Sequence, residues 1–253
     1  MTRRLIGFVS FAAIALALGI AASGPGARFG LWDYGFGLTL LRQLALPTMI
    51  AAALAAVAFL FAALRARPLA PAPLAATILA AAAASVPLQM KAKAEANPFI
   101  HDITTDFDNP PAILAAADLP RKNPAAYVGA EPAPRTDPAI STAEAQRQAF
   151  PDIAPLELAL SVADAATKAK ASLAAMKMEI LAEGPDGDEA GAGWRIEAVS
   201  TSQWYGFKDD FIVRLTPTEG GVRVDVRSKS RVGMSDLGAN AARVRAFLAL
   251  MKA

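Results

Sequence analysis

The chain contains no cysteine among its 253 residues. Disulfide bonds, thiolate catalysis and cysteine-based zinc sites are therefore excluded, although this does not identify a compartment, because an oxidising space permits disulfides without requiring them. His101 is the only histidine, so a metal centre built from several histidines is excluded as well. The net charge of +2 gives no support to nucleic-acid binding.

Several catalytic motifs are also missing. The chain has no glycine-rich phosphate loop, no Gly-x-Ser-x-Gly elbow and no metalloprotease helix. These absences argue against common hydrolases and nucleotide enzymes, and the sequence predicts no cofactor. They leave an unfamiliar chemistry open, so a non-catalytic protein is favoured while an enzyme remains the alternative.

Charge is scarce in the first 90 residues. Three stretches, 5–22, 44–64 and 68–88, carry no charged side chain. A helix that crosses a bilayer needs about 20 predominantly apolar residues. The sequence therefore predicts a membrane region over residues 1–90 with three transmembrane helices. For the first stretch a cleaved signal peptide is the alternative, because a basic start and small residues flank it.

Positive charge predicts the orientation of these helices. Arginines at positions 3 and 4 precede the first stretch, arginines at 65 and 67 follow the second, and both pairs suit the cytoplasm. Aromatic residues of the first loop suit the outer membrane–water interface: Phe29, Trp32, Tyr34 and Phe36. Three crossings from a cytoplasmic N-terminus place the C-terminal domain outside. If the third stretch lies only in the interface, that domain would be cytoplasmic instead.

Residues 91–154 are rich in proline and predict a tether that wraps the following domain. Proline removes a backbone donor and disfavours helix in the residue before it. We therefore expect extended loop with short strand or helical pieces. Apolar residues such as Phe99, Ile103 and Phe107 are available to pack.

Residues 155–253 predict an α+β core domain. A helix is expected over 155–178, then four strands with alternating apolar residues and one dry face, and a last helix from near Leu237. The inward strand residues are expected to be Met178, Ile180 and Ala182, then Trp194, Ile196 and Ala198, then Phe211, Val213 and Leu215, and finally Val222, Val224 and Val226. The predicted fold is thus an α-helical membrane region followed by an α+β domain, with a four-stranded antiparallel sheet and two packed helices.

Three blocks of sequence resemble the family named domain of unknown function 1499: NPFIHDITTDFDNPP (97–111), WYGFKDDFIVRL (204–215) and VDVRSKSRVGMSDLGANAARVRAFL (224–248). Members of that family occur in bacterial envelopes and plastids, often behind membrane segments. This is consistent with the topology above, which predicts a multi-pass protein of the bacterial inner membrane with its C-terminal domain facing the periplasm. Because the family has no established activity, the resemblance implies no catalytic residues.

Candidate ligand-binding residues occur in the first of these blocks. His101 and Asp102 lie close to Asp106 and Asp108, which suggests either a general base or a carboxylate-lined cation site. The alternative is a histidine bonded to backbone or to a carboxylate, which would fix the tether against the sheet. A general base also needs a partner within hydrogen-bond reach, and the sequence identifies none.

The middle block contributes Lys208 and Asp210. The aromatic run 204–207 before them predicts either the floor of a pocket or an apolar cap on the sheet. Because adjacent strand residues point to opposite faces, Asp209 and Asp210 are not expected to share a metal ion. Pairing of Asp210 with an arginine of the next strand is favoured.

The last block places five alternate residues on one strand face: Arg223, Asp225, Arg227, Lys229 and Arg231. We hypothesise that Arg227, Arg231 and the amides near Ser235 to Leu237 form an anion-binding corner, since arginine offers paired donors and a helix start offers free amides. The alternative is a structural network in which Ser235 or Asp236 caps the helix and carboxylates neutralise the arginines.

The sequence as a whole predicts an inner-membrane protein with a non-catalytic binding or assembly role at the cell envelope. The alternative is an envelope enzyme with a site between residues 97–108 and 204–236. The predicted partners are the lipid bilayer and either an anionic envelope ligand or another membrane protein, and nucleic acid is not among them.

Overall fold

A computed structural model describes residues 1–187 and 193–253. These residues divide into two compact units. The first unit comprises residues 1–92 with 203–206, and the second comprises residues 93–202 and 207–253.

Three long helices make up most of the first unit. They are α1 (Arg3–Arg28), α2 (Tyr34–Arg65) and α3 (Pro71–Ala96), with a 3-10 turn at Arg67–Leu69 before α3. The two first helices and the segment Arg67–Ala96 are each long and apolar enough to cross a membrane, as the uncharged stretches predict. Small side chains line their contacts, including Ala13, Ala55 and Ala80, which have no exposed surface. Such residues let helix backbones approach closely.

The second unit is built on a six-stranded antiparallel sheet. Its strands are β1 (Asp102–Thr104), β2 (Leu156–Leu158), β3 (Glu179–Asp186), β4 (Gly193–Thr201), β5 (Lys208–Thr218) and β6 (Gly221–Ser230). The order is β1-β6-β5-β4-β3, and β2 also pairs with β6. The prediction of four strands found β3 to β6 but missed β1 and β2. Both lie along the outer edge of β6, whose backbone groups would otherwise lack ladder partners.

Helices α4 (Thr142–Ala149), α5 (Val162–Ala175) and α6 (Ala239–Lys252) complete the second unit. The predicted helix over 155–178 is wrong at its start, because residues 156–158 form β2 and Ser161 caps α5 by accepting the amide of Asp164 at 3.1 Å. The last helix begins at Ala239, two residues after the expected start near Leu237. Leu237 and Gly238 have φ angles of +56° and +80°, which a right-handed helix does not permit.

The apolar core packs one face of the sheet against α5 and α6. The inward residues predicted for β5 and β6 are all buried, and Phe211 packs edge-to-face on Phe247 with ring centroids 5.2 Å apart. Around β3 the prediction is correct for Met178, which is buried just before the strand begins, and wrong for Ile180 and Ala182, which are exposed. Ile180 lies opposite the buried Ala198 but on the edge strand of the sheet, and a β-bulge between Ile180 and Ala182 places Ala182 opposite Glu197, on the other face.

The other face of the sheet is covered, so the prediction of a single dry face is wrong. Residues 105–128, here called the cover segment, run across it, and Ile113 and Ala116 pack against Ile212 of β5. Arg227 and Lys229 of β6 keep only 2% and 0% of their surface exposed beneath this segment. The alternating charges of β6 therefore line a second interior.

Candidate functional site

Strand pairing fixes the arrangement of the charged residues on the covered face. Asp102 of β1 and Asp210 of β5 both lie opposite Lys229 of β6 in their ladders. Residues opposed in antiparallel strands share a face, so Lys229 lies between two carboxylates. We call the following set the charged cluster: Asp102, Asp210, Arg121, Arg227, Lys229 and Arg231.

Asp102 is the centre of one half of the charged cluster. Its two carboxylate oxygens accept hydrogen bonds from Arg227 Nε and Nη2, each at 2.9 Å. Lys229 Nζ lies 3.0 Å from Oδ2. Both cations also donate hydrogen bonds to backbone carbonyls of the cover segment. Arg227 donates to the carbonyl of Ala125 at 3.0 Å, and Lys229 donates to that of Ala126 at 2.6 Å. The carboxylate of Asp102, which has no exposed surface, thus pairs with two cations.

Asp210 is the centre of the other half. Arg231 Nε donates to Asp210 Oδ1 at 2.8 Å, so the favoured pairing of Asp210 with an arginine at the end of the next strand is present. Arg121 of the cover segment donates to Oδ2. Here too one carboxylate serves two cations. The charged cluster therefore holds four cations and two carboxylates.

A neighbouring set of ion pairs along β5 and β6 is balanced. Arg214 donates to Asp106 at 2.8 Å and to Asp225 at 3.2 Å, and Arg223 donates to Asp225 at 3.0 Å. Two arginines face two carboxylates in this set. Asp106 is therefore engaged with arginine and not with a cation site around His101.

Asp209 points to the opposite face from Asp210, as adjacent strand residues must. It accepts a hydrogen bond from Arg243 Nη2 of α6 at 2.8 Å. The two carboxylates cannot share one ion. Within residues 1–187 and 193–253, no group of three or more histidine, aspartate or glutamate side chains is placed to hold a metal ion.

His101 is held at the edge of the charged cluster. Its carbonyl accepts the amide of Ser230 at 3.0 Å, which ties the segment to the sheet. Burial lowers the pKa of His101 below its ordinary value, and Lys229 lowers it further while Asp102 opposes the shift. The ring Nε2 is buried and has no hydrogen-bond partner among the residues that the structure describes. Backbone pairing supports the structural interpretation, while the unpartnered Nε2 leaves the general-base interpretation open.

Acidification is expected to destabilise the second unit through His101. Its pKa is lower in the folded chain than in the unfolded chain, where it is about 6.5. The unfolded state therefore binds more protons between these two pKa values, so stability is present above pH 6.5 and is lost as the pH falls through the folded-state pKa. The urea midpoint of the full-length chain should fall over this range. His101→Gln should flatten that part of the profile, and an unchanged slope in the variant would contradict the assignment.

The ring of Tyr127, in the cover segment, packs against the guanidinium group of Arg227. The guanidinium carbon of Arg227 lies 5.3 Å from the centroid of the Tyr127 ring, within the range of a cation–π contact. Burial, followed by the nearby charge of Asp102, raises the pKa of Tyr127 to about 12. Tyr127 therefore stays neutral at physiological pH and is not a base.

Ser235 and Asp236 accept hydrogen bonds from the backbone amides that were expected to bind an anion in this corner. Asp236 accepts the amides of Gly238 and Asn240 at 2.7 and 2.9 Å, and Ser235 Oγ accepts that of Leu237 at 3.3 Å. Burial raises the pKa of Asp236 while these amides oppose the shift. The geometry favours the capping alternative for Asp236, which accepts an amide in the first turn of α6, whereas Ser235 bonds an amide before the helix.

Trp204 and Tyr205 of the aromatic run after β4 belong to the first unit, whereas Phe207 belongs to the second. Trp204 Nε1 donates to the carbonyl of Ala21 at 3.2 Å, and the Tyr205 hydroxyl donates to Ser23 Oγ at 3.1 Å. These contacts with α1 are neither the pocket floor nor the sheet cap that the sequence suggested.

Sequence reasoning missed the contribution of the cover segment. Arg121 and Tyr127 lie in proline-rich loop, where no hydrophobic periodicity marks which residues turn inward. The one available signal is compositional: Arg121 and Lys122 are the only basic residues between 94 and 134, within a segment rich in aspartate.

The matched family covers the second unit from β1 into α6. A family model described as "Protein of unknown function (DUF1499)" matches residues 102–251, which is more than half of the 253 residues. No curated protein and no solved structure gives a match. The match includes every residue of the charged cluster, and it confirms the resemblance carried by the three sequence blocks. The chain therefore belongs to the domain of unknown function 1499 family.

Proposed function

We propose that the chain is a membrane protein of the bacterial cell envelope whose second unit lies in the periplasm and binds an anionic ligand without transforming it. The observation that carries this proposal is the surplus of positive charge in the charged cluster, with four cations against two carboxylates. Buried charges are costly unless they are paired. An anionic group bound at the cluster would supply the missing negative charge.

Burial of the charged strand face limits the form that binding takes. Asp225, Arg227 and Lys229 keep at most 2% of their surface exposed. A partner protein cannot dock on side chains that the cover segment already contacts. We therefore assign the binding role to the end of the cluster and not to a flat basic surface.

The periplasmic location gives a direct test of topology. Arginines at positions 3, 4, 65 and 67 favour a cytoplasmic N-terminus, and three crossings then carry the second unit outside. Alkaline phosphatase fused to the C-terminus is expected to be active, and a fluorescent protein exported unfolded at that position is expected to be dark. The reverse pair of results would overturn both the three crossings and the periplasmic location.

The binding role is tested with the full-length chain purified in a nonionic detergent. Native mass spectrometry is expected to show a retained anionic compound, and adding that compound should raise the melting temperature of protein from which it was removed. A chain that retains no anion, and that no phosphate, phospholipid or carboxylate compound stabilises, would contradict the proposal.

An envelope enzyme is the second candidate, favoured by the unpartnered Nε2 of His101. A neutral imidazole can act as a general base. Asp102, however, is engaged by Arg227 and Lys229 and does not orient the ring as a catalytic partner would. Turnover of an envelope extract by the wild-type chain, abolished in His101→Gln, would favour the enzyme.

A further inference from the structure

Three segments of the second unit meet at the end of the charged cluster where β6 ends. The carbonyl of Arg231 accepts the amides of Lys122 and Asn123 at 2.9 and 3.0 Å, and the amide of Arg231 donates to the carbonyl of Lys208 at 3.1 Å. These backbone bonds hold the cover segment, the start of β5 and the end of β6 together. They bring four basic residues into one corner: Arg121, Lys122, Lys208 and Arg231.

A single carboxylate faces the two arginines of this corner. Arg121 and Arg231 both pair with Asp210. The adjacent Asp209 is directed to the other face, where Arg243 engages it. Lys122 and Lys208 are exposed at the same corner. Arg121, Arg231 and the exposed Lys208 thus meet at a corner where Asp210 is the carboxylate paired with both arginines.

Arg121 also carries donors without acceptors. Within residues 1–187 and 193–253, its Nε and Nη1 are buried and find no hydrogen-bond partner, whereas Arg231 Nη2 lies 2.7 Å from Asp210 Oδ1. The side chains of Arg121 and Arg231 are 10% and 6% exposed. A buried donor without an acceptor is costly. Guanidinium groups fit the oxygens of phosphate with paired hydrogen bonds.

We propose that Arg121 and Arg231, supported by Lys208, bind the phosphate group of an anionic ligand. The inference rests on the proposed function and names its site and ligand class. Several oxygen atoms of a phosphate can accept the unused donors at once, and its negative charge offsets the excess of cations. The same phosphate chemistry belongs to free phosphate and to the headgroup of a phospholipid, so the test separates these sources.

The experiment measures the melting temperature of the full-length chain in a nonionic detergent. One arm titrates inorganic phosphate at constant ionic strength, and the other titrates short-chain phosphatidylglycerol against phosphatidylcholine of equal chain length. Stabilisation by phosphate identifies the free anion, and stabilisation by phosphatidylglycerol alone identifies the lipid headgroup. Arg121→Gln and Arg231→Gln should each lower the affinity for whichever ligand stabilises the wild type, by about tenfold or more.

Arg243→Gln is the matched control. It removes an arginine of similar burial, 13% exposed, from a pair with the neighbouring aspartate on the opposite face. The control should keep the ligand affinity of the wild type. Asp210→Asn removes the competing carboxylate and should tighten binding. If Arg231→Gln does not fold, the exposed Lys208→Gln, which should weaken binding, decides the question.

Two negative outcomes separate the site from the function. If the wild type binds phosphate or phosphatidylglycerol and the corner variants bind it equally well, the site is wrong while the proposed function stands. If neither ligand stabilises the wild type, the phosphate site is overturned. A different anion found by native mass spectrometry would then still support the general binding role, and the absence of any anion would overturn both.

Discussion

Replacing Asp102 with asparagine is expected to lower the free energy of unfolding by about 3–5 kcal/mol, because it leaves two buried cations without their shared carboxylate. Arg227 cannot lose its proton. Burial lowers the pKa of Lys229, although Asp102 raises it, and Arg227 lowers it further. In the variant Lys229 can become neutral, so Arg227 accounts for most of the expected cost. Urea denaturation of the full-length chain, followed by intrinsic fluorescence, measures the change.

A second substitution and an exposed pair provide the controls. Arg227→Met in the Asp102→Asn background should recover part of the loss, since it removes the uncompensated charge. Asp152→Asn removes a carboxylate paired with Arg245 at 2.5 Å, where the side chains are 55% and 42% exposed. That change should cost less than about 1 kcal/mol. Equal costs for Asp102→Asn and Asp152→Asn would show that Asp102 does not neutralise buried charge.

The sequence predicts the core strands well, because their signal is local. Alternating valines place Val222, Val224 and Val226 in the core, and all three have no exposed surface. The same alternation places Arg227 and Lys229 on the opposite face. Periodicity assigns residues to a face correctly but does not reveal what covers that face.

The two missed strands show a second limit. β1 and β2 have three residues each, and both are defined by pairing with β6 and not by their own pattern. A strand of three residues carries too few alternations to be recognised. The bulge in β3 is likewise not visible in the sequence of β3 alone, because it is defined by the register with β4.

The candidate site was partly accessible from sequence. The sequence indicates Lys208 and Asp210 in the middle block and Arg231 in the last block, and strand pairing brings them to one corner. It does not indicate Arg121, because a loop residue reaches Asp210 only through the path of the cover segment. The expected use of the amides near Ser235 fails for a local reason, since Asp236 occupies them.

In our proposal Arg227 and Lys229 line an interior, so that a ligand meets the charged cluster only at its end. Amine labelling of the folded full-length chain, read by mass spectrometry, measures whether these side chains are shielded from solvent. Lys229 has no exposed surface, whereas Lys208 is exposed. We predict that Lys229 reacts on the order of 100-fold or more slowly than Lys208, because its labelling requires local opening of the cover segment. Equal labelling rates for Lys229 and Lys208 would contradict the account.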